Sequence, residues 1–295
     1  MFFEFEDTIN SIEQDSGVIS VGDYKEKIRH VGLIDYTSLL WNLPSTKFLK
    51  TSSLFPSMSS EDVQKMWTGN YGDTLLLQSV SFVRSLVAAR AYFHGKSIAN
   101  TPILDFGCGY GRLLRPMSFY SSELTGVDPM ASSIEECKKC NLDRIARIAK
   151  SSFLPSTLDL GVKFGVIYSF SVFTHLSFAA ANICAKALRE AITSDGLLAI
   201  TIRPAEYWRL PHVRAQVGER TAEQLFENHV RGSGFSYRPH ALGPGSVLDY
   251  EGLPSYGDTS INTRIISQIF PDWRFCGFDR SLDDPYQSYI FLQPN

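Results

Sequence analysis

The sequence lacks any long apolar run, and no stretch approaches the ~20 residues that a membrane-spanning helix requires. Its first residues, MFFEFEDTIN, turn acidic after a short apolar start, without the basic residues and apolar core of a signal peptide. We therefore expect no membrane insertion and a cytoplasmic location.

A basic surplus is also absent, since 28 Lys and Arg stand against 31 Asp and Glu, for a net charge of −3. Nucleic-acid binding depends on clustered basic residues that neutralise phosphates, so nucleic acid is not expected as a partner. Cysteine is scarce as well: the five cysteines are odd in number and have no framework spacing. Cys137 and Cys140 form a C-x-x-C, but no second pair completes a zinc site, and no metal is predicted.

From Pro102 onward the chain alternates short apolar runs with helical stretches, a pattern that predicts a parallel sheet covered by helices. The predicted strands are Ile103–Phe106, Leu124–Val127, Ile145–Ala149, Phe164–Phe170, Leu197–Ile202, Trp273–Phe278 and Ser288–Leu292. The predicted helices between them are Arg112–Tyr120, Ser132–Cys140 and Phe178–Ile192.

The region before the first strand is irregular over residues 1–58 and then becomes helical. Ser59 or Ser60 begins a predicted helix that ends at Gly69, and a longer helix runs from Asp73 to Gly95.

The alternation breaks after Arg203. Thr221 and Gln224 predict a capping box for a helix that ends near Gly232. Residues 235–258 are rich in Gly, Pro, Tyr and Ser and predict a loop or hairpin, and Ser260–Phe270 predicts a last helix.

The segment after the first predicted strand carries the strongest chemical signal. Residues 103–113 read ILDFGCGYGRL, so a strand containing Asp105 runs into three glycines and a helix start. Glycine lets the backbone approach a ligand closely, and the helix start offers free N–H groups. Asp128 ends the next strand, where a carboxylate can accept both hydroxyls of a ribose. The G-x-G-x-G spacing differs from the G-x-G-x-x-G that binds dinucleotide pyrophosphate.

These two segments resemble the class I S-adenosylmethionine-dependent methyltransferases, over roughly residues 100–203. The resemblance implies a Rossmann-like, doubly wound, seven-stranded and mostly parallel sheet with an antiparallel last strand. It also implies S-adenosyl-L-methionine as the cofactor and S-adenosyl-L-homocysteine as the product. Asp105 would lie near the methionine amino group, Asp128 would hold the ribose, and Met130 would pack on the adenine. The implied cofactor residues are Asp105, Gly107, Cys108, Gly109, Gly111, Asp128, Pro129, Met130, Ser152 and Ser169.

A second segment, SFSVFTHLS at residues 169–177, is similar to bacterial members linked to glycan or small-molecule methylation. One departure concerns the adenine, because Lys150-Ser151-Ser152 stands where members of the family often carry an acidic residue. Contact with the adenine then falls to backbone groups and to Ser151 or Ser152.

Histidines in loops after the strands are the candidate catalytic residues, since ligands bind at the carboxyl ends of parallel strands. A hydroxyl acceptor benefits from a base that takes its proton. His175 is the first candidate for a base or an acceptor-orienting group, and a residue that braces the next helix is the alternative. His240 is the second candidate, with an exposed loop histidine as its alternative. Asp258 is interpreted as a helix cap, with a base as the alternative, and Tyr207-Trp208 as a wall of the acceptor pocket or as packing.

The domain organisation follows from these segments. Residues 1–95 are predicted to form a helical extension or lid, and residues 96–295 a methyltransferase domain whose residues 204–260 form an acceptor-pocket insertion. Within the extension, residues 67–72 are a candidate lid over the cofactor, with a plain helix–helix turn as the alternative.

The predicted function is methyl transfer from S-adenosylmethionine to a small molecule or saccharide, onto oxygen rather than nitrogen. The alternatives are a non-catalytic regulatory protein that binds the same cofactor and a nicotinamide-dependent oxidoreductase. An aminopropyl transferase is disfavoured because no paired acidic residues follow the fourth strand. Residues 1–58 are a candidate contact for a homodimer.

Overall fold

A twisted sheet forms the centre of the protein in a computed structural model that describes residues 3–240, 249–250 and 253–295. Helices precede its first strand. They are α1 Phe3–Gln14, α2 Val21–Lys27, α3 Leu33–Trp41, α4 Leu49–Leu54, α5 Glu61–Thr68 and α6 Asp73–His94.

Strands and helices then alternate up to the fifth strand of the sheet. These elements are β1 Ile103–Phe106, α7 Leu114–Met117, β2 Leu124–Asp128, α8 Ala131–Lys139, β3 Arg147–Lys150, β4 Phe164–Ser169, α9 Phe178–Ala191 and β5 Ile192–Ile202. The remaining elements are α10 Pro211–Val217, α11 Glu219–Val230, β6 Phe235–Pro239, β7 Asp249–Tyr250, β8 Leu253–Pro254, β9 Gly257–Ile261, α12 Ile266–Ile269, β10 Trp273–Ser281 and β11 Asp284–Pro294.

The main sheet has the strand order β10-β11-β5-β4-β1-β2-β3. Strands β1 to β5 run parallel, and β11 is antiparallel to both of its neighbours, β5 and β10. The predicted seven-stranded sheet with an antiparallel last strand is therefore confirmed. The order reverses between β1 and β4, so the loops that follow them diverge there and leave a crevice, where α/β sheets bind ligands.

Successive residues of each strand enter two different cores, because side chains alternate across a sheet. Ile103 and Val166 pack with the N-terminal helices, whereas Leu104 and Ile167 pack with α9 and α12. The central strands are buried on both faces, which explains their continuous apolar sequence.

The starts and ends predicted for the two helices before the sheet are confirmed. Ser60 Oγ accepts a hydrogen bond from Val63 N–H at 3.5 Å and caps α5, which ends at Gly69 with φ +79°. Gly95, with φ +61°, ends α6. Residues 1–58, irregular in sequence, contain α1 to α4 in their described part.

Three predicted elements were wrong in extent. The helix at Arg112–Tyr120 is only the turn Leu114–Met117, since Pro116 has no N–H to bond the carbonyl of Arg112. Thr221 and Gln224 form no capping box, because α11 already begins at Glu219, after Gly218. Strand Ile103–Phe106 has the predicted bounds, and the ends of the other predicted strands and helices differ from the described ones by up to five residues.

The predicted helix Ser260–Phe270 is largely replaced by strand β9, and only Ile266–Ile269 is α-helical. Strand β9 pairs antiparallel with β6, with Phe235 opposite Ile261, so the hairpin interpretation of residues 235–258 was the correct alternative. Part of that excursion, residues 241–248 and 251–252, lies outside the described residues. Asp258 is consequently a strand residue, and its interpretation as a helix cap was wrong.

Within the part of the chain that the structure describes, no helix combines the length and apolar character needed to cross a membrane.

Candidate functional site

A cavity of about 640 Å³ lies at the carboxyl edge of the sheet. Its walls come from the turn after β1, the end of β2 and the loops after β4 and β5, with Trp67 of α5 and Tyr256 before β9. The cavity therefore lies in the crevice where the strand order reverses.

The turn after β1 needs glycine for two different reasons. A Cβ on Gly107 (φ +80°) would stand 2.3 Å from Val172 Cγ2, and one on Gly111 (φ +74°) would stand 2.0 Å from Leu142 Cδ2. Gly107 lines the cavity, so its lack of a side chain brings the β4 loop close to the turn. Gly111 is not part of the lining, and its lack of a side chain serves packing.

Asp128 ties the end of β2 to this turn. Its Oδ2 accepts from Gly109 N–H at 2.9 Å, and its Oδ1 accepts from Met130 N–H at 2.9 Å. Each carboxylate oxygen keeps a further lone pair, and the residue lines the cavity at 7% exposure. The side chain is thus positioned to accept hydroxyl donors from a ligand.

Asp105 lies at the end of β1 in the same cavity, at 2% exposure. Burial raises the pKa of this carboxyl to about 8, with Asp128 adding to the rise and Tyr168 and Arg112 opposing it. A ligand that brings a positive charge to this carboxyl would restore its ionised form.

The other predicted cofactor residues divide into two groups. Cys108, Pro129 and Met130 line the cavity together with the residues above. Ser152 is exposed and Ser169 is buried with its Oγ donating to Phe106 O at 2.9 Å, and neither lines the cavity. The roles of these two serines stay predictions, and Phe153 is the neighbouring residue that does line it.

Cys108 and Cys137 contact each other at the glycine turn. Cys137 Sγ donates to Gly109 O at 3.2 Å, and the pKa of Cys108 is raised by its contact with the Cys137 thiol and by burial. Among the described residues, no group of three or more potential ligands could hold a metal ion.

His175 follows β4 and lines the other end of the cavity. Its Nδ1 lies 2.7 Å from Gly257 O, and a carbonyl can only accept, so Nδ1 carries the proton. Its Nε2 therefore holds the lone pair and lies 3.3 Å from Arg203 Nη2. Burial and then the Arg203 charge lower the pKa of His175 to about 3, so the ring is neutral at physiological pH.

Asp258 is the centre of a buried polar cluster beside His175. Its Oδ1 accepts from Arg203 Nη1 at 2.8 Å and from the Tyr207 hydroxyl at 3.0 Å. Its Oδ2 lies 3.0 Å from His240 Nε2. Burial tends to raise the pKa of Asp258, but His240, Arg203 and Tyr207 outweigh burial and lower it. The carboxyl is therefore an anion that holds three side chains from different elements.

His240 belongs to this cluster, but it is not among the residues that line the cavity. Its ring centroid lies 6.2 Å from that of His175 and 5.5 Å from that of Tyr256, which stacks on His175. Because a carboxylate only accepts, Nε2 of His240 donates to Asp258 and Nδ1 is left to accept a proton. The structure thus brings the two predicted histidines together through one carboxylate.

Three residues were named from the sequence without being placed in the site. Asp258 was interpreted as a helix cap, and Arg203 only marked the end of the alternation, although it directly follows β5 at the edge where ligands bind. Arg112 was named only in the glycine motif and as the start of a helix, yet it lines the cavity. Of the predicted aromatic pair, Tyr207 contacts Asp258, whereas Trp208 is buried and donates to Ser260 Oγ at 2.6 Å.

Comparisons with known proteins show which proteins this chain resembles. A family model described as a methyltransferase domain matches residues 104–198. The ubiquinone biosynthesis O-methyltransferase of Bartonella quintana is 28% identical over 120 residues, or 40% of this chain and 48% of that protein. The mitochondrial ubiquinone biosynthesis O-methyltransferase of Mus musculus is 36% identical over 76 residues, or 23% of this chain and 20% of that protein. The chain thus spans about half the length of the first relative and a fifth of the second.

Solved structures share the fold at low sequence identity. The magnesium protoporphyrin IX methyltransferase ChlM of Synechocystis PCC 6803 aligns with a TM-score of 0.50 at 14% identity, covering 79% of this chain and 94% of that one. The glycopeptide N-methyltransferase MtfA aligns with a TM-score of 0.50 at 11% identity, covering 76% of this chain and 92% of that one. At these identities the likeness concerns the fold alone.

Proposed function

Residues 104–198 of this chain form a methyltransferase domain of the class I S-adenosylmethionine-dependent family, and from that premise we propose that the protein methylates a hydroxyl group of a small-molecule or saccharide acceptor. The predicted family and its cofactor are confirmed by the matched domain. The reaction of the whole protein, its acceptor and its site residues are what we propose.

The cavity fits S-adenosylmethionine in the chemistry of its walls. Asp128 would accept the ribose hydroxyls with its remaining lone pairs, and Asp105 would accept from the methionine ammonium. Gly107 and Gly109 line the cavity with backbone alone, and Trp67 lies across from Gly109. The cofactor supplies a methyl group on a sulfonium, which is open to attack by a nucleophile in line with the sulfur.

The observation that carries the proposal is that His175 and Asp128 line one cavity, so an acceptor-side group and a cofactor-side group would face the same space. A neutral His175 would accept the hydrogen of an acceptor hydroxyl at Nε2, in place of the 3.3 Å contact with Arg203 Nη2, and orient its oxygen. His240, which Asp258 holds in one tautomer, would receive the proton that the hydroxyl loses on methylation.

Two observations favour a ring-shaped hydroxyl acceptor. Phe153, Phe170 and Tyr256 line the cavity, and flat aromatic walls suit the faces of aromatic or sugar rings. The two curated relatives are named O-methyltransferases, which supports oxygen over nitrogen. A cytoplasmic location and a homodimer through residues 1–58 belong to the same proposal.

Turnover by a His175→Ala variant tests the acceptor-side role. We expect this variant to bind S-adenosylhomocysteine as the wild type does but to lose about 100-fold in kcat/KM, because a misoriented acceptor costs about that much. The measurement is S-adenosylhomocysteine release from S-adenosylmethionine with a panel of phenols, catechols and sugars. The matched control is His212→Ala, which removes an exposed histidine of α10 and should change neither quantity. Unchanged turnover in His175→Ala would refute the role, and wild-type protein inactive on every acceptor would count against the function.

Cofactor affinity should depend on pH through Asp105. Below about pH 8 its carboxyl is protonated and cannot pair with the methionine ammonium, so affinity should rise with pH and level off near pH 8. The limiting slope is about tenfold per pH unit, since one unit of pKa corresponds to about 1.4 kcal/mol. Calorimetric titration with S-adenosylhomocysteine at pH 6, 7 and 8 measures this rise. Asp105→Asn should bind weakly without the rise, whereas a flat wild-type profile would contradict the pairing.

A further inference from the structure

Arg112 is a buried cation that none of the roles above uses. It directly follows the glycine turn, is 8% exposed and lines the cavity. Its Nη1 donates to Gln78 Oε1 and, at 3.3 Å, to Ser79 Oγ. The guanidinium carbon lies 4.9 Å from the centroid of the Phe170 ring, so packing fixes the plane of the group.

The charge of Arg112 has no carboxylate within ion-pair distance in the described residues. Arg203, by contrast, has Asp258 at 2.8 Å. Asp284 interacts electrostatically with Arg112 but accepts its hydrogen bond from Gln78 Nε2. All hydrogen bonds of the Arg112 guanidinium to described residues pass through Nη1, so Nε and Nη2 remain for a ligand. Buried charges are stabilised by pairing, so a ligand anion within hydrogen-bond distance would stabilise this cation further.

A second observation concerns an unpaired acceptor in the same cavity. Gln287 lines the same cavity, and its Oε1 is buried without a hydrogen-bond partner among the described residues. Its Nε2 is engaged, at 3.3 Å from Ser171 Oγ. The cavity therefore offers, beside the glycine turn, a forked donor in Arg112 and acceptors in Asp105 and Gln287. This set complements the carboxylate and the ammonium of an α-amino acid.

We propose that Arg112 binds the methionine carboxylate of S-adenosylmethionine. The proposal rests on the proposed function, because it takes that cofactor as the ligand of the cavity. Asp128 is assigned to the ribose end and Asp105 to the methionine ammonium, and the electrostatic interaction between Arg112 and Asp105 favours the amino-acid end of the same molecule for this cation. A guanidinium suits this task, because it can present two parallel N–H groups to a carboxylate.

Calorimetric titration with two probes tests the assignment. S-adenosylhomocysteine carries the carboxylate, whereas 5′-methylthioadenosine keeps the adenosine and sulfur without it. We expect Arg112→Gln to weaken S-adenosylhomocysteine binding about 10- to 100-fold, since a hydrogen bond to a charged group contributes about 1.5–3 kcal/mol. Arg112→Gln should bind 5′-methylthioadenosine with an affinity within about twofold of the wild type, because this probe lacks the carboxylate that Arg112 would contact. The matched control is Arg220→Gln, which changes an exposed arginine of α11 and should alter neither affinity.

Arg112→Lys provides a second variant that keeps the charge in the buried site, and thermal unfolding checks that both variants fold. Lysine retains the charge but not the fork, so an intermediate loss of S-adenosylhomocysteine affinity is expected. Unchanged S-adenosylhomocysteine affinity in Arg112→Gln would overturn the proposal, even if the KM for an acidic acceptor rose. Equal weakening of both probes would also overturn it, because the adenosine end would then be affected. Wild-type protein that binds neither probe would instead refute the proposed function.

Discussion

Asp128→Ala is expected to abolish measurable binding of S-adenosylhomocysteine, with a loss of at least about 100-fold. This carboxylate would contribute to cofactor affinity in two ways. The bonds that would hold the ribose hydroxyls disappear, and charge-assisted hydrogen bonds contribute about 1.5–3 kcal/mol each. The N–H groups of Gly109 and Met130 also lose their acceptor, so the turn is no longer held in its binding shape.

Calorimetry with S-adenosylhomocysteine checks this expectation against a matched substitution. Asp272→Ala removes an exposed carboxylate just before β10, at the opposite edge of the sheet, and should leave the affinity unchanged. Asp128→Asn should fall between the wild type and Asp128→Ala, since an amide has one accepting oxygen. A loss of less than tenfold in Asp128→Ala would show that the ribose is held elsewhere.

Asp258→Ala is expected to lower the free energy of unfolding by about 3–5 kcal/mol, the cost of breaking a buried ion pair at one end. Arg203 would keep its charge at 11% side-chain exposure without a counterion. Tyr207 and His240 would lose their acceptor at the same time. Urea denaturation followed by intrinsic fluorescence measures the change.

The exposed ion pair between Arg209 and Glu223 provides the comparison, because both side chains are more than 40% exposed. Glu223→Ala breaks that pair and should change the stability little, since solvent screens exposed charges. Asp258→Asn separates stability from catalysis. It keeps the size of the side chain but no longer offers His240 a carboxylate. We therefore expect a loss of turnover with a smaller loss in the free energy of unfolding than Asp258→Ala causes. Equal stability losses in Asp258→Ala and Glu223→Ala would show that Asp258 is solvated in solution.

The cofactor side of the site was predictable because its signals are local. Strand β1, the glycine turn and Asp128 lie within 103–128, and each depends on its immediate neighbours in sequence. Buried parallel strands are continuous apolar runs, and a turn with positive φ requires glycine. Such features need no knowledge of the rest of the chain.

The acceptor side was not predictable, because its contacts connect distant parts of the chain. Asp258 and Arg203 are separated by 55 positions, and nothing around Asp258 indicates the cation that it meets. Strand β9 likewise depends on pairing with β6, which a local pattern cannot reveal. Gly257-Asp-Thr-Ser-Ile contains β-branched residues, and that weak strand signal competed with a plausible helix start.

The helices within residues 1–58 were not located from the sequence, for a different reason. Helices α2, α3 and α4 have 7, 9 and 6 residues, too short for a period of 3.6 to repeat clearly. Their stability comes from contacts between helices, such as Tyr24 and Tyr36, whose rings both pack edge-on against Phe55. These contacts depend on tertiary packing.

The hairpin formed by β6 and β9 has a consequence for how such enzymes diversify. Its two ends are joined by a hydrogen bond from His240 N–H to Tyr256 O, and Gly257 and Thr259 bond to the backbone of the loop after β4. His240 and Tyr256 are thus fixed anchor points in the fold. Under the proposed function, a chimaera that exchanges the sequence between these two residues for that of a homologue is expected to change the methyl acceptor while cofactor binding is inherited intact.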